Sequence, residues 1–474
     1  MWWIILIIIG WIAIAYFNDR SKNKPVPNFQ YPKVKEKPAP RLNVQQIDIS
    51  SITLSSQQKK LFDIIENTNN NLFITGRAGT GKSVLLQYFK QKTTKRVVVV
   101  APTGVAALNV GGQTIHSFFK IPPEFITKDK LKLSSKTALL LRNIDTIVID
   151  EISMVRADLM DAMSYLLKEA RYDSDLPFGG AQLVMFGDLY QLPPVVNDKE
   201  LHKYFAHNHG GYYFFNAYCW KNILPEIYEL TEVFRQKDDK FKSILDKIRT
   251  GEVDGGLLSL LNERVTENIP QKGVITLVPT NSLVTSINQK KLDELNEKPY
   301  HYRAVVSGNI KESAYPTEEN LQLKQGAQIM LLKNDKNKRW VNGTIGMIDS
   351  LSENEIKVNI DGIVYSIPQE TWNKIRYSYN QEERKIEEEV DSSFTQFPLR
   401  LAWAITIHKS QGQTYNSVVI NMGDGAFAHG QTYVALSRCV SIEGLFLTRE
   451  IMKSDIMVES TVVNFMKKAR IVDI

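Results

Sequence analysis

The chain has 474 residues, 43% hydrophobic and 23% charged, a balance that excludes a disordered, collagenous or disulfide-framed protein and suggests about three domains. Its two cysteines, Cys219 and Cys439, are too few for a thiolate metal cluster. The net charge is +6, but residues 1–41 hold seven basic and two acidic groups, so nearly all the excess lies there and net charge alone argues for no nucleic-acid partner.

Residues 2–17 contain no charge and run Trp-Trp-Ile-Ile-Leu-Ile-Ile-Ile-Gly-Trp-Ile-Ala-Ile-Ala-Tyr-Phe. As a helix this run is about 24 Å long, slightly short of a hydrocarbon core. The flanking tryptophans, Tyr16 and Arg20 suit the two interfaces, and the following lysines place the rest of the chain in the cytoplasm. The expectation is a single-pass membrane anchor over 1–17. Residues 18–50, with Pro25, Pro27, Pro32, Pro38 and Pro40 among lysines, read as an extended basic linker.

Ser55 and Gln58 form the capping box S-x-x-Q at the start of a helix over 57–66; Gln58 is alternatively a contact to a nucleotide base. A short apolar strand, Leu72–Thr75, then runs into Gly76-Arg77-Ala78-Gly79-Thr80-Gly81-Lys82-Ser83. This matches the phosphate loop G-x-x-x-x-G-K-[ST] in full. Backbone N–H groups of Gly76, Ala78, Gly79, Thr80 and Gly81 would wrap phosphate oxygens at a helix N-terminus. Lys82 would neutralise the β/γ oxygens and Ser83 would ligate Mg²⁺, so ATP and Mg²⁺ are the expected cofactors. Three more nearly continuous apolar runs follow: Val97–Val100, Thr146–Ile149 and Leu183–Phe186. Such runs are those of parallel strands covered on both faces, whose carboxyl ends form the binding edge. At those ends stand Asp150, expected on the Mg²⁺ shell, and Glu151, expected to orient or deprotonate the attacking water. Gln191 lies where a γ-phosphate is sensed, or is a loop amide bonded to backbone. His116 and His408 have no Cys or His partners at ligand spacing, which argues against a metal site there.

Several segments together resemble one family, the superfamily 1B helicases of the petite integration frequency type. They are Ala101–Asn109, Gly112–Phe119, Asp150–Met154, Pro177–Gly180, Gly187–Val195, Leu230–Gln236, Asn342–Thr344, Pro398–Thr414 and Tyr433–Arg438. The resemblance covers roughly residues 50–450. It implies an α/β fold of two RecA-like parallel-sheet domains, over 51–235 and 236–474, with ATP between them. It further implies a small β-barrel of the Src-homology-3 type at about 344–394 and a wedge insertion near 117–140. The implied activity is ATP-driven 5′→3′ movement on single-stranded DNA with duplex unwinding, and forked DNA as a partner. Arg235 and Arg438 match arginines that reach the γ-phosphate from the second domain, and Gly412 joins the nucleotide set. The DNA side, by resemblance, takes Pro102, Thr103, His116 and Phe118 from the first domain, and Thr280, Asn281, His408, Lys409 and Ser410 from the second. Phe118 is equally readable as a base-stacking ring or as core. The acidic run Glu387-Glu388-Glu389 reads as a solvated hairpin face. The competing function is a membrane-bound, ATP-gated clamp that holds single-stranded DNA without unwinding.

Overall fold

Three of the apolar runs become adjacent parallel strands. The computed structural model describes residues 53–474 except 123–124, 197, 237, 271–272 and 338, within one compact unit. The anchor and linker expected over 1–50 lie outside the described residues. Among the described residues, no helix is long and apolar enough to cross a membrane.

The first sheet holds β1 (Leu72–Gly76), β2 (Val97–Ala101), β3 (Gln113–Thr114), β4 (Thr146–Ile149), β5 (Gln182–Phe186) and β6 (Glu226–Leu230) in the order β3-β2-β4-β5-β1-β6. All neighbours are parallel. Alternate residues serve opposite faces. Phe73, Val98, Val100, Ile147, Ile149, Leu183 and Met185 enter a core shared with the helices Ser135–Arg142 and Ala157–Arg171. Leu72, Ile74, Val99, Val148, Val184 and Phe186 enter a second core, against the helices Ser56–Asn67 and Lys82–Lys92. Burial on both faces explains why the sequence runs are continuous rather than alternating.

Further strands are β7 (Ile275–Val278), β8 (Tyr300–Arg303), β9 (Val305–Ser307), β10 (Asn320–Leu323), β11 (Gln328–Leu331), β12 (Ile345–Leu351), β13 (Ile356–Ile360), β14 (Ile363–Ile367), β15 (Glu370–Asn380), β16 (Lys385–Gln396), β17 (Leu399–Leu401), β18 (Ala404–Thr406), β19 (Val418–Ile420) and β20 (Leu445–Leu447). A second parallel sheet has the order β18-β7-β19-β20 and its own core, which includes Phe241, Ile244, Leu245 and Ile248 of the helix Asp239–Thr250. Between β7 and β18 the chain builds antiparallel structure. One sheet runs β14-β13-β12-β11-β17, and another joins β9 to the long hairpin β15–β16. This antiparallel region begins well before residue 344, because β8 to β11 contribute to it.

Two segments late in the sequence pack on the first sheet. The hairpin β15–β16 is one. Ile375 and Tyr377 are part of the first core, and the Tyr377 hydroxyl accepts the Val99 N–H at 3.3 Å. Lys90 pairs with Glu388 at 2.9 Å, while Glu389 accepts from Arg376 and Ser378, both at 2.6 Å. The acidic run is therefore not a solvated face: all three of its carboxylates hold partners, Glu387 taking Asn380 at 3.0 Å and Glu388 reaching across to the first sheet's helix. The second segment is the helix Ser460–Lys468. Phe465 stacks on Phe215 with centroids 4.2 Å apart, and Val462 is core. Beyond it, Ile471 bridges Ile227 in parallel, and the Val472 N–H donates to the Ile227 carbonyl at 2.8 Å. Residues 460–474, expected with the second sheet, extend the first.

Candidate active site and nucleic-acid face

Every nucleotide-site residue expected from the first half lies at the carboxyl edge of the first sheet. The phosphate loop leaves β1, and Gly81 (φ 79°) adopts the left-handed conformation that ends the loop and starts the helix Lys82–Lys92. Gly79 (φ 86°) has a second reason to be glycine. A Cβ there would lie 2.6 Å from the Cβ of Arg235. Gln58 fulfils its reading as the capping-box residue and also reaches the phosphate loop. Its backbone and side chain complete the capping box with Ser55, while its Nε2 donates to the carbonyls of Thr80 and Gly81 at 3.5 and 3.3 Å. Lys82 Nζ donates to the carbonyls of Gly76 and Arg77 at 2.6 and 2.9 Å. Burial pulls its pKa down, and the carboxylates of Asp188 and Glu151 oppose that.

Asp150 and Glu151 follow β4. Burial first, and the neighbouring Glu151 carboxylate second, push Asp150 up to about 7. Burial also raises Glu151, against the pull of Lys82 and Arg438. Glu151 has φ 51°, a left-handed backbone that is strained for a side-chain-bearing residue. The exposed Ser83 hydroxyl and the Asp150 carboxylate are hard oxygen donors of the kind Mg²⁺ takes while keeping several waters. A cation there would offset the burial and the neighbouring Glu151 carboxylate that together raise Asp150.

The second half closes over this edge. Arg235 donates to the carbonyls of Ser437 (3.1 Å) and Gly412 (3.4 Å). Arg438, 2% exposed, donates to the carbonyls of Val434, Ser410 and Gln413 and to the Ser437 hydroxyl. Burial and mutual repulsion depress Arg235, and burial depresses Arg438. The Tyr433 hydroxyl accepts the Ala78 N–H at 3.0 Å, so the second half touches the phosphate loop directly. Gln191, 8% exposed, donates to Asp188 at 3.3 Å. The same carboxylate receives Arg249 of the helix Asp239–Thr250.

The expected DNA-side residues divide. Thr103 and Thr280 play matching parts: each follows a parallel strand and caps the next helix, accepting from Ala106 and Leu283. Pro102 precedes one, and the exposed Asn281 follows the other. His408 and Lys409 lie just past β18, with Lys409 exposed. His116 has a buried Nε2 without a hydrogen-bond partner among the described residues, and burial lowers its pKa.

A family model described as "PIF1-like helicase" matches residues 53–256. The chain is 32% identical to the ATP-dependent DNA helicase Pif1 of Bdellovibrio bacteriovorus, covering 89% of this chain and 93% of that one. It belongs to the PIF1-like helicase family.

Other members agree with this. The human ATP-dependent DNA helicase PIF1 is 32% identical over 89% of this chain, which spans 62% of the human protein. Unliganded Pif1 from Bacteroides sp, 38% identical, superposes with TM-score 0.80 over 88% of this chain and 97% of that one. The Bacteroides protein bound to ssDNA gives 0.64 over the same shares.

Within this PIF1-like helicase, two sequence expectations need correction. Phe118 is 2% exposed, packed edge-on against Phe119 and Tyr377, so it is a core ring and not a base-stacking platform. Ser410 is fully buried and gives its hydroxyl to the Ile407 carbonyl, so it shapes the loop that accepts Arg438 and offers nothing to DNA. Sequence reasoning missed Tyr433 and Arg249. Tyr433 lay inside a quoted motif and was recognisable there. Arg249 follows an apolar stripe, where a cation ordinarily reads as solvated.

Proposed function

We propose that this chain is an ATP-dependent DNA helicase that translocates 5′→3′ on single-stranded DNA and unwinds duplex. The observation that carries the reading is the convergence of Lys82, Glu151 and Gln191 from one parallel sheet with Arg438 from the other and Arg235 from the connection between them. Such a site is complete only when both halves meet, which ties hydrolysis to closure. The relatives' names, ATP-dependent DNA helicase, support the same activity.

In this reading the two parallel sheets are RecA-like domains. The antiparallel strands between β7 and β18 are the small-barrel insertion, and the segment near 117–140 is the wedge. Lys82 and the loop amides hold the phosphates, and Ser83 and Asp150 hold Mg²⁺, which supplies charge neutralisation on the phosphate oxygens. Glu151, its pKa raised by burial, takes the proton from the attacking water. Arg235 and Arg438 stabilise the charge that develops at the γ-phosphate. Thr103 on one half and Thr280, Asn281 and Lys409 on the other grip phosphates of the strand. Closure shortens the distance between the grips, and alternating which one holds converts each hydrolysis into a step. Binding is therefore salt-sensitive and tolerant of sequence.

The test is strand displacement on duplexes with a single-stranded tail at one end. Displacement is expected with a 5′ tail and little with a 3′ tail at equal ATPase stimulation. The opposite preference refutes the polarity, and stimulation without displacement favours a clamp. Arg235→Ala and Arg438→Ala should each lower turnover on the order of 10³-fold. Residues 1–17 are proposed as a membrane segment on the strength of their uncharged apolar run. Full-length protein should then resist carbonate extraction, whereas a chain starting at Asn43 should be soluble with full ATPase.

A further inference from the structure

Asp188 lies two residues past the end of β5 and is completely buried. Its carboxylate is held by its own loop, where the Tyr190 N–H donates to Oδ1 at 3.2 Å, and by two side chains. Gln191 Nε2 donates to Oδ2 at 3.3 Å, and Arg249 donates to Oδ1 through Nη2 at 3.0 Å and Nε at 3.3 Å. Arg249 is itself 7% exposed, with its guanidinium 4.5 Å from the Tyr190 ring centroid and 3.6 Å from Glu229 Oε1. Asp188, Gln191, Tyr190 and Glu229 all belong to the first sheet or its loops. Arg249 belongs to a helix whose apolar stripe is part of the second sheet's core. Burial alone would raise the Asp188 pKa, yet Arg249 and Lys82 outweigh it and hold the group below the usual carboxylate range.

A buried ion pair of this kind is weak evidence for stability, because desolvation offsets most of its attraction. Its geometry argues for another use. A carboxylate with one oxygen committed to Arg249 presents the other in a fixed direction, and Gln191 is what that direction holds. Gly430, just before the helix Gln431–Leu436, also sits hard against the sensor loop, where a Cβ would approach the Tyr190 and Gln191 carbonyls to 2.4 and 2.5 Å. The second half thus touches the sensor at two points, one of them a charge.

We infer that Arg249 is a positioning residue for hydrolysis: through Asp188 it sets the amide of Gln191 only while the two halves are closed. This rests on the reading of Gln191 as the γ-phosphate sensor. Arg235 and Arg438 act on the phosphate, whereas Arg249 acts on the group that senses it. Nucleotide affinity should depend little on Arg249, and turnover should depend on it strongly.

The experiment is a double-mutant cycle on single-stranded-DNA-stimulated ATPase, with kcat and the KM for ATP measured for Arg249→Met, Gln191→Ala and the pair. Arg249→Met should lower kcat about 30-fold with KM changed less than about threefold, the size of losing a hydrogen bond to a charged group. Arg249→Lys should recover part of the loss. On the Gln191→Ala background, Arg249→Met should cost less than about threefold more, because the two act as one unit. Losses that multiply independently overturn the inference. So does a wild-type kcat in Arg249→Met, or a loss confined to KM. If Arg249→Met fails to fold by circular dichroism, Asp188→Asn replaces it in the same cycle with the same expectations. Lys82→Ala, run in parallel, separates the two readings. Retained hydrolysis there defeats the ATP-site assignment itself, whereas an inactive Lys82→Ala beside an independent cycle defeats only the role of Arg249.

Discussion

Tyr377→Phe removes one oxygen from the hairpin and nothing else. β2 pairs with β3 only at Val100 and Ala101, so the Val99 N–H facing that side has no strand partner and donates to the Tyr377 hydroxyl at 3.3 Å. Val99 is 1% exposed and Tyr377 4%. The variant keeps the ring against Phe118, at 5.7 Å between centroids, and leaves a buried donor unsatisfied. That should cost about 1–3 kcal/mol. Where the Val99 amide exchanges by local opening, the same free energy corresponds to about 5- to 150-fold faster exchange. The assay is hydrogen exchange by mass spectrometry over a peptide spanning 97–101, together with a urea unfolding midpoint. Tyr377 should accelerate exchange there and lower the midpoint when changed to Phe. An unchanged midpoint with unchanged exchange over 97–101 would refute the idea that the hairpin completes the first sheet.

Phe465→Ala should destabilise by about 2 kcal/mol, below the roughly 3–5 typical of a fully buried Phe, because this ring is only partly covered; limited proteolysis should then cut sooner within 460–474. Asp150→Asn should raise thermal stability, and the gain should grow as pH climbs from the ordinary aspartate range to about 7, then level off. The sign follows from the raised folded pKa: the native state of the unaltered protein gains from holding that proton at low pH and loses the gain as pH rises through about 7. Melting curves at pH 5 and 8 decide it, and an equal gain at both contradicts the assignment. Arg77→Ala should leave ATPase within about twofold despite its place in the phosphate loop, since its 2.7 Å pair with Asp246 is a partly exposed ion pair of small worth; a loss above tenfold in steady-state assays would show that Arg77 has a catalytic task.

The nucleotide site was legible because its parts are local. A strand, a glycine loop and a helix N-terminus follow one another within residues 72–92, and each later strand delivers its polar residue directly at its end. What failed to show in the sequence depends on pairings between distant segments. Ile375, Tyr377 and Tyr379 alternate on one face of β15, which announces a buried face, but a period of two cannot say which sheet will bury it. Phe118 was undecided for the same reason, as its cover comes from Tyr377. Arg249 needs Asp188, 61 residues earlier, before its burial makes sense. Ser410 resembled a phosphate ligand by motif alone; its loop geometry turns the hydroxyl inward.

The return of residues 460–472 to the first sheet carries a consequence for synthesis. A ribosome delivers β1 to β6 early, yet Phe215 and β6 acquire their covers from Phe465 and Ile471 only after the whole second sheet and the antiparallel insertion have emerged. In the interval the outer face of β6 is an unpaired strand edge, the kind of surface that invites pairing with another chain. The nascent first half should therefore depend on a chaperone or on speed in a way that the finished protein does not. A segment made later acts as the closing seam of a sheet made earlier.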